Sequence, residues 1–89
     1  MATAAPATLT LRVLLFASYA DLLGRHELEA SLPEGATVAD LLNWTRTSNP
    51  GGSRLPERPL VAVNQRHARL DTVLKSGDEV ALLPPMAGG

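Results

Sequence analysis

The residues whose types and spacing suggest chemistry stand at the end of the sequence, which closes in Gly88-Gly89 after a stretch without charged side chains. Two residues without a Cβ can pass through a narrow channel in any backbone conformation and present the terminal carboxylate. Pro84-Pro85 cannot continue a strand ladder, so the last six residues could reach roughly 20 Å from the domain. The alternative is a frayed terminus that ends in two glycines by chance, expected in about 0.5% of chains. We interpret Gly89 as a tethered reactive terminus.

Other residue patterns that carry chemistry are missing from the sequence. His26 and His67 share neither a helix nor a paired spacing, and a zinc site needs three or four ligands, so no metal is expected. There is no cysteine, and no serine stands in a Gly-x-Ser-x-Gly motif. Gly51-Gly52 lacks the Lys-Ser/Thr of a phosphate-binding loop and is interpreted as a flexible turn. We therefore expect no bound cofactor and no autonomous active site.

Length and charge limit the remaining function classes. The chain has 89 residues, 45% hydrophobic and 19% charged, which suits one folded domain. Its net charge of -1 gives no positive field for nucleic acid or an anionic membrane surface. The start of the sequence lacks the segments of a signal peptide, and no run approaches the ~18 apolar residues of a membrane span, so we expect a cytoplasmic protein. Four arginines could form a patch for an acidic partner but are more simply read as solvated: Arg54, Arg58, Arg66 and Arg69.

The first half of the chain shows the patterns of two strands and one main helix. Alternation predicts a strand over residues 8–16 and an antiparallel neighbour over 27–32, joined by a short helix that Gly24 stops. Thr37 and Asp40 form a helix start, because a hydroxyl and a carboxylate can satisfy free amides of the first turn. The helix continues to about Thr47, with Trp44 at its rim. Its predicted core stripe is Val38, Leu41, Leu42 and Thr45.

The second half predicts further strands. Residues 48–59 are rich in proline and glycine and read as a long irregular connection. Strands are predicted over 60–63, around 68–70 and over 79–83. Asn64 and Gln65 are predicted to form the turn after the first of these. The order is two strands, one amphipathic helix and then two or three strands, with the helix covering one face of a mixed sheet. This order is typical of an α+β, β-grasp (ubiquitin-like) fold. The predicted divisions are a disordered leader (1–8), the β-grasp domain (9–83) and a flexible reactive tail (84–89).

The closing segment resembles a known family. Residues 76–89, with the Pro-Pro-x-x-Gly-Gly ending after an apolar strand, and residues 61–64 resemble the MoaD/ThiS sulfur carriers. The proline pair favours the MoaD branch, the small subunits of molybdopterin synthase, over the thiazole branch. The chain departs from the pattern at Leu82 and Leu83, where the family often has aromatic residues, and in the 48–59 loop.

The resemblance implies a carrier that supplies sulfur without acid or base groups of its own. A ubiquitin-activating-like adenylyltransferase would use ATP to activate the Gly89 carboxylate, because an acyl adenylate has a good leaving group and a carboxylate does not. A sulfur donor enzyme would then yield a thiocarboxylate. This sulfur would attack a cyclic pterin precursor within the large subunit of molybdopterin synthase, with Gly88 threading the channel.

The apolar residues at the start of the tail are predicted to bind that partner. They are Leu82, Leu83, Pro84, Pro85, Met86 and Ala87. For Leu82, completion of the core is an alternative that stays open. Two alternative functions also remain: a sulfur carrier for thiazole or another sulfur-containing product, and a ubiquitin-like protein modifier. Lys75 is the only lysine, so long self-linked chains of such a modifier are nearly excluded.

Overall fold

Alternation of apolar and polar side chains forms the strands, because successive residues of a strand point to opposite faces of a sheet. Every second side chain of the first two strands is buried, and the side chains between them are exposed except for half-buried Leu14. A computed structural model describes residues 8–85, and residues 1–7 and 86–89 lie outside this part. The elements are β1 (Thr8–Leu15), α1 (Ser18–Leu23), β2 (Glu27–Pro33), α2 (Val38–Ser48), a 3-10 turn (Gly52–Arg54), β3 (Leu60–Val63), β4 (Arg66–His67) and β5 (Glu79–Leu83).

The strands form one mixed sheet in the order β2-β1-β5-β3-β4, which confirms the predicted β-grasp arrangement. β1 pairs with β2 in antiparallel register, as predicted. β5 lies in the middle, parallel to β1 and antiparallel to β3. Leu15 of β1 and Val61 of β3 are both opposite Leu82. The first and last strands are therefore neighbours at the centre of the sheet.

One face of the sheet packs against α2 and forms the core. The predicted stripe of α2 is confirmed, since all four of its side chains are buried. Trp44 is half-buried and packs against the core from its rim, also as predicted. The largest side chains of the core that are fully enclosed are Leu11, Val13, Val38, Leu41, Thr45, Val80 and Leu82.

The start of α2 has the capping arrangement that the sequence predicted. The Thr37 hydroxyl accepts the backbone N–H of Asp40, and the Asp40 carboxylate accepts the backbone N–H of Thr37 at 2.9 Å. Such a cap stabilises a helix by about 1 kcal/mol, because it satisfies amides that have no partner within the helix. The connection from β2 into α2 is thereby fixed.

Residues 49–59 form the predicted irregular connection with one 3-10 turn, and this loop packs closely against both helices. A Cβ on Gly51 would overlap the carbonyl oxygen of Leu22, and a Cβ on Gly52 would overlap that of Thr45. The Arg46 Nε–H donates a hydrogen bond of 3.0 Å to the Leu55 carbonyl, and the Leu55 side chain is buried in the core. The predicted turn is present at Pro50 and Gly51, but the Gly-Gly pair is a site of close backbone approach, which argues against the predicted flexibility.

The fourth strand lies earlier than predicted. Asn64 and Gln65 have positive φ angles of 51° and 72° and form the two-residue turn that was expected. Because this turn ends at Gln65, the chain pairs with β3 from the next residue on, and β4 consists of Arg66 and His67. The predicted strand around 68–70 was wrong in position. The Ala68 N–H still donates to the Val61 carbonyl at 2.9 Å, but the chain leaves the sheet there.

Candidate functional site

The chain leaves the domain from the middle of the sheet. β5 ends at Leu83, and the proline pair follows, with Pro84 half-buried and Pro85 exposed. Proline has no amide N–H, so neither residue can extend the ladder with β1 or β3. The predicted site residues Met86, Ala87, Gly88 and Gly89 lie outside the described residues and stay predictions. The structure thus places the start of the tail between two strands rather than at an edge.

Leu82 and Leu83 point to opposite faces of the sheet. The Leu82 side chain is fully enclosed, so of the two interpretations that the sequence left open the structure shows the core one. Leu83 is half-buried and lies on the face that no helix covers. We call this uncovered side the open face. Only Leu83, Pro84 and Pro85 of the described site residues are therefore accessible to another molecule.

The open face carries apolar side chains next to the tail. Across the strands, Leu14 pairs with Ala81, Ala81 with Ala62, and Ala62 with His67. One step nearer the tail, Leu60 pairs with Leu83, and the Leu60 side chain is 47% exposed. Phe16 directly follows β1 and is 44% exposed. Exposed apolar side chains grouped in this way are typical of a surface that another protein covers.

A groove of about 610 Å³ lies where β5 leaves the sheet. Its walls are almost entirely apolar, and Ser18 and His67 are the polar residues that line it. The residues that line the groove are Ala17, Ser18, Leu60, His67, Leu83, Pro84 and Pro85. Four of these, Ala17, Ser18, Leu60 and His67, were not identified from the sequence as site residues. All four residues of β3 are apolar, so no pattern in the sequence distinguishes its exposed face or points to these residues.

The other half of the open face is charged. The Arg12 Nε atom lies 3.1 Å from a carboxylate oxygen of Glu27, and an Nη atom lies 3.6 Å from one of Glu79. The hydrogen bond with Glu27, and its charge, raise the pKa of the Arg12 guanidinium. These groups are largely exposed, so the pairs add little to stability. The open face is therefore divided into an apolar half beside the tail and a mixed, mainly acidic half.

Residues 8–85 contain no group of three or more acidic, histidine or cysteine side chains that could hold a metal ion. His26 and His67 lie at different places, on the approach to β2 and in β4.

The Tyr19 hydroxyl is buried without a hydrogen-bond partner among the described residues, and burial raises its pKa. Neither helix within this range is long and apolar enough to cross a membrane.

A mixed sheet covered by one main helix, with the last strand at its centre, defines a β-grasp, ubiquitin-like protein that presents its C-terminal segment. The model of the ThiS family matches residues 13–89. The chain belongs to the ThiS family.

Similar proteins agree with this assignment. The molybdopterin synthase sulfur carrier subunit of Chlamydomonas reinhardtii is 35% identical over 81 residues, covering 89% of this chain and 98% of the relative. The crystal structure of SAMP1 from Haloferax volcanii is 31% identical with a TM-score of 0.79, covering 90% of this chain and 99% of that one. A complex of subunits 1 and 2 of the molybdopterin-converting factor from Helicobacter pylori shares the fold, with 22% identity, a TM-score of 0.65 and coverage of 91% and 100%.

Proposed function

We propose that the chain is the sulfur carrier of molybdopterin synthesis and that Gly89 bears the transferred sulfur as a thiocarboxylate. The observation that carries the proposal is the exit of β5 from the centre of the sheet into Pro84-Pro85 and a sequence that closes in Gly88-Gly89. Membership of the ThiS family and a relative that is itself a molybdopterin synthase sulfur carrier subunit support it.

The chemistry requires activation of the tail by another protein. A carboxylate resists substitution, whereas its adenylate, formed from ATP with release of pyrophosphate, loses AMP when a sulfur nucleophile attacks the carbonyl carbon. We propose an adenylyltransferase of the ubiquitin-activating type and a sulfur donor enzyme as the two partners for these steps. The Gly89 thiocarboxylate then attacks the pterin precursor through sulfur and displaces an oxygen substituent. Water hydrolyses the resulting acyl carbon–sulfur bond, which leaves the sulfur on the pterin and returns Gly89 to the carboxylate. A cytoplasmic location is part of the proposal, because the activation consumes ATP.

The reach of the tail restricts how these partners bind. Four residues follow Pro85, and an extended chain spans at most about 3.6 Å per residue, so Gly89 lies within about 14 Å of the proline pair. An enzyme that encloses Gly89 must therefore approach the groove at Leu83. We propose that the large subunit of molybdopterin synthase covers the apolar half of the open face, with Leu60, Leu83 and Phe16 at the centre of the contact.

Mass spectrometry of the intact protein tests the proposal. The chain is incubated with the adenylyltransferase, ATP, a sulfur donor and the large subunit, and its mass is followed before and after the pterin precursor is added. We expect a gain of about 16 Da as sulfur replaces oxygen, followed by its loss on addition of precursor. The Gly89 deletion variant is the control and should gain nothing. A wild-type chain that gains mass but keeps it when precursor and large subunit are present would contradict the proposal.

A second candidate function is modification of other proteins through an isopeptide bond. The likeness to SAMP1, by its description a small archaeal modifier protein, favours it. Both functions begin with adenylation of Gly89 and separate at the next step, when either a sulfur nucleophile or a lysine amine attacks the carbonyl carbon. Peptide mapping of partner proteins distinguishes them, since a modifier leaves its terminal glycines on lysine side chains and a carrier leaves none.

A further inference from the structure

His67 lies in the wall of the groove at the start of the tail. It pairs with Ala62 across β3 and β4, which places its side chain on the open face, and Leu60 is its diagonal neighbour on that face. Leu83, Pro84 and Pro85 form the adjoining wall. The imidazole is exposed in the free chain. A protein that covers the groove to reach the tail therefore also covers His67.

No opposite charge faces this imidazole within the described part of the chain. β3 contributes only apolar residues, the exit of β5 contributes leucine and prolines, and the start of α1 contributes the uncharged Ser18. On β4 itself the neighbour is Arg66, another cation, whose position opposite Val63 places it on the other face. The three ion pairs among residues 8–85 involve other side chains. A protonated His67 would thus be buried without a compensating carboxylate from this chain.

Covering the groove has different consequences for the two protonation states of His67. A neutral imidazole loses less hydration free energy than an imidazolium when an apolar surface displaces its water, so covering the groove disfavours the charged form. Binding of an apolar partner surface is therefore strongest where the imidazole of the free chain is neutral. Histidine is the side chain that most often changes its charge with pH under physiological conditions, so the pH dependence of binding is the property to measure.

We propose that His67 makes docking of the large subunit depend on pH: the neutral imidazole permits an apolar side chain of the partner to occupy the groove, and the protonated imidazole opposes it. This inference rests on the proposed function and adds a residue that controls when the carrier binds. The partner chemistry is an uncharged, apolar side chain, because the groove walls are almost wholly apolar and the nearest carboxylates on the open face belong to its other half.

Calorimetric titration of the cognate large subunit, from about pH 5.5 to about pH 7.5, tests the proposal. For the wild-type chain we expect binding about tenfold weaker at the lower pH, where the protonated imidazole opposes docking. His67→Leu should bind tightly at both pH values, and His67→Lys should bind weakly at both. His26→Gln, which changes a histidine that does not line the groove, should keep the wild-type pH profile. Thermal unfolding of each variant shows whether its fold is retained.

Three outcomes would overturn the inference. If His67→Leu follows the same pH profile as the wild type, the dependence comes from other groups. If binding does not change with pH, the imidazole is not covered. If binding strengthens as the pH falls, a carboxylate of the partner pairs with the imidazolium, and the groove takes an acidic rather than an apolar side chain. Failure of every variant to bind at any pH would instead remove the proposed function, together with this inference.

Discussion

Leu60 of β3 and Leu83 of β5 face each other directly across the antiparallel pair, on the side of the sheet that no helix covers. The pair adjoins the point where the tail begins, and Leu60 is nearly half exposed. In the isolated chain this contact stabilises the sheet on one side only and leaves its outer surface in water. A cross-strand pair of this kind serves the fold and a binding partner at the same time.

Replacement of Leu60 by glutamate should weaken docking far more than folding. We expect Leu60→Glu to reduce affinity for the large subunit at least tenfold, since a charge would be buried at the centre of the contact, and to cost less than about 1 kcal/mol of stability. Val73→Glu is the matched control, because Val73 is 59% exposed and does not line the groove. Equal affinities of the two variants would contradict the proposed docking surface.

Deletion of Gly89 should abolish sulfur transfer without affecting the fold. Gly89 follows the last strand and the proline pair, so its removal should change the free energy of unfolding by less than roughly 0.5 kcal/mol. Loss of the terminal residue removes the carboxylate from its position in the activating enzyme. Chemical denaturation and the thiocarboxylate mass assay measure the two effects separately. Retained sulfur transfer by the shortened chain would refute the role of Gly89.

Gly52→Ala should destabilise the domain, because its Cβ would overlap the carbonyl oxygens of Thr45 and Arg46 at the end of α2. Overpacking of this kind costs about 1–3 kcal/mol. Ser53→Ala is the control, since Ser53 is the exposed neighbour in the same 3-10 turn. Urea denaturation should show a clear loss for the first variant and a change below about 0.5 kcal/mol for the second. Similar stabilities would mean that the loop yields to the added methyl group.

Ala17→Gly should stabilise the chain. Ala17 has φ 50° and ψ -125°, a conformation that residues with a Cβ adopt at a cost of about 1–3 kcal/mol. Glycine relieves this strain but gains entropy in the unfolded chain, so we expect a net gain of up to about 1 kcal/mol in the free energy of unfolding. Ala39→Gly on the exposed side of α2 should have the opposite sign and cost about 1 kcal/mol. A loss of stability in both variants would show that Ala17 is not strained.

The helices and strands that could be predicted from the sequence are those whose own residues show a periodic or capping pattern. The alternation in β1 and β2, the Thr37 and Asp40 cap, and the 3.6-residue spacing in α2 were enough to place the helix, most of the strands and the exit of the tail. The position of β4 was missed, because a two-residue strand has no period of its own and depends on its pairing with β3.

Burial of Leu55 and the close packing of Gly52 were also missed. A single leucine among prolines, glycines and arginines shows no periodicity, and its burial depends on contact with α2, which only the folded chain reveals. The groove at the tail was missed for a related reason. Leu60, His67 and Ser18 come from different elements and meet only when β5 is inserted between β1 and β3.

The central position of β5 also links presentation of the tail to the completion of folding. The Thr10 N–H donates to the Ser76 hydroxyl, a contact between residues 66 positions apart, and β5 pairs with the first strand of the chain. Contacts of such long range close a large loop and form slowly, after the last strand has been synthesised. An unfinished or misfolded chain would have neither the groove nor a correctly directed tail. An activating enzyme that must bind both the groove and the tail would therefore consume ATP only on correctly folded carriers.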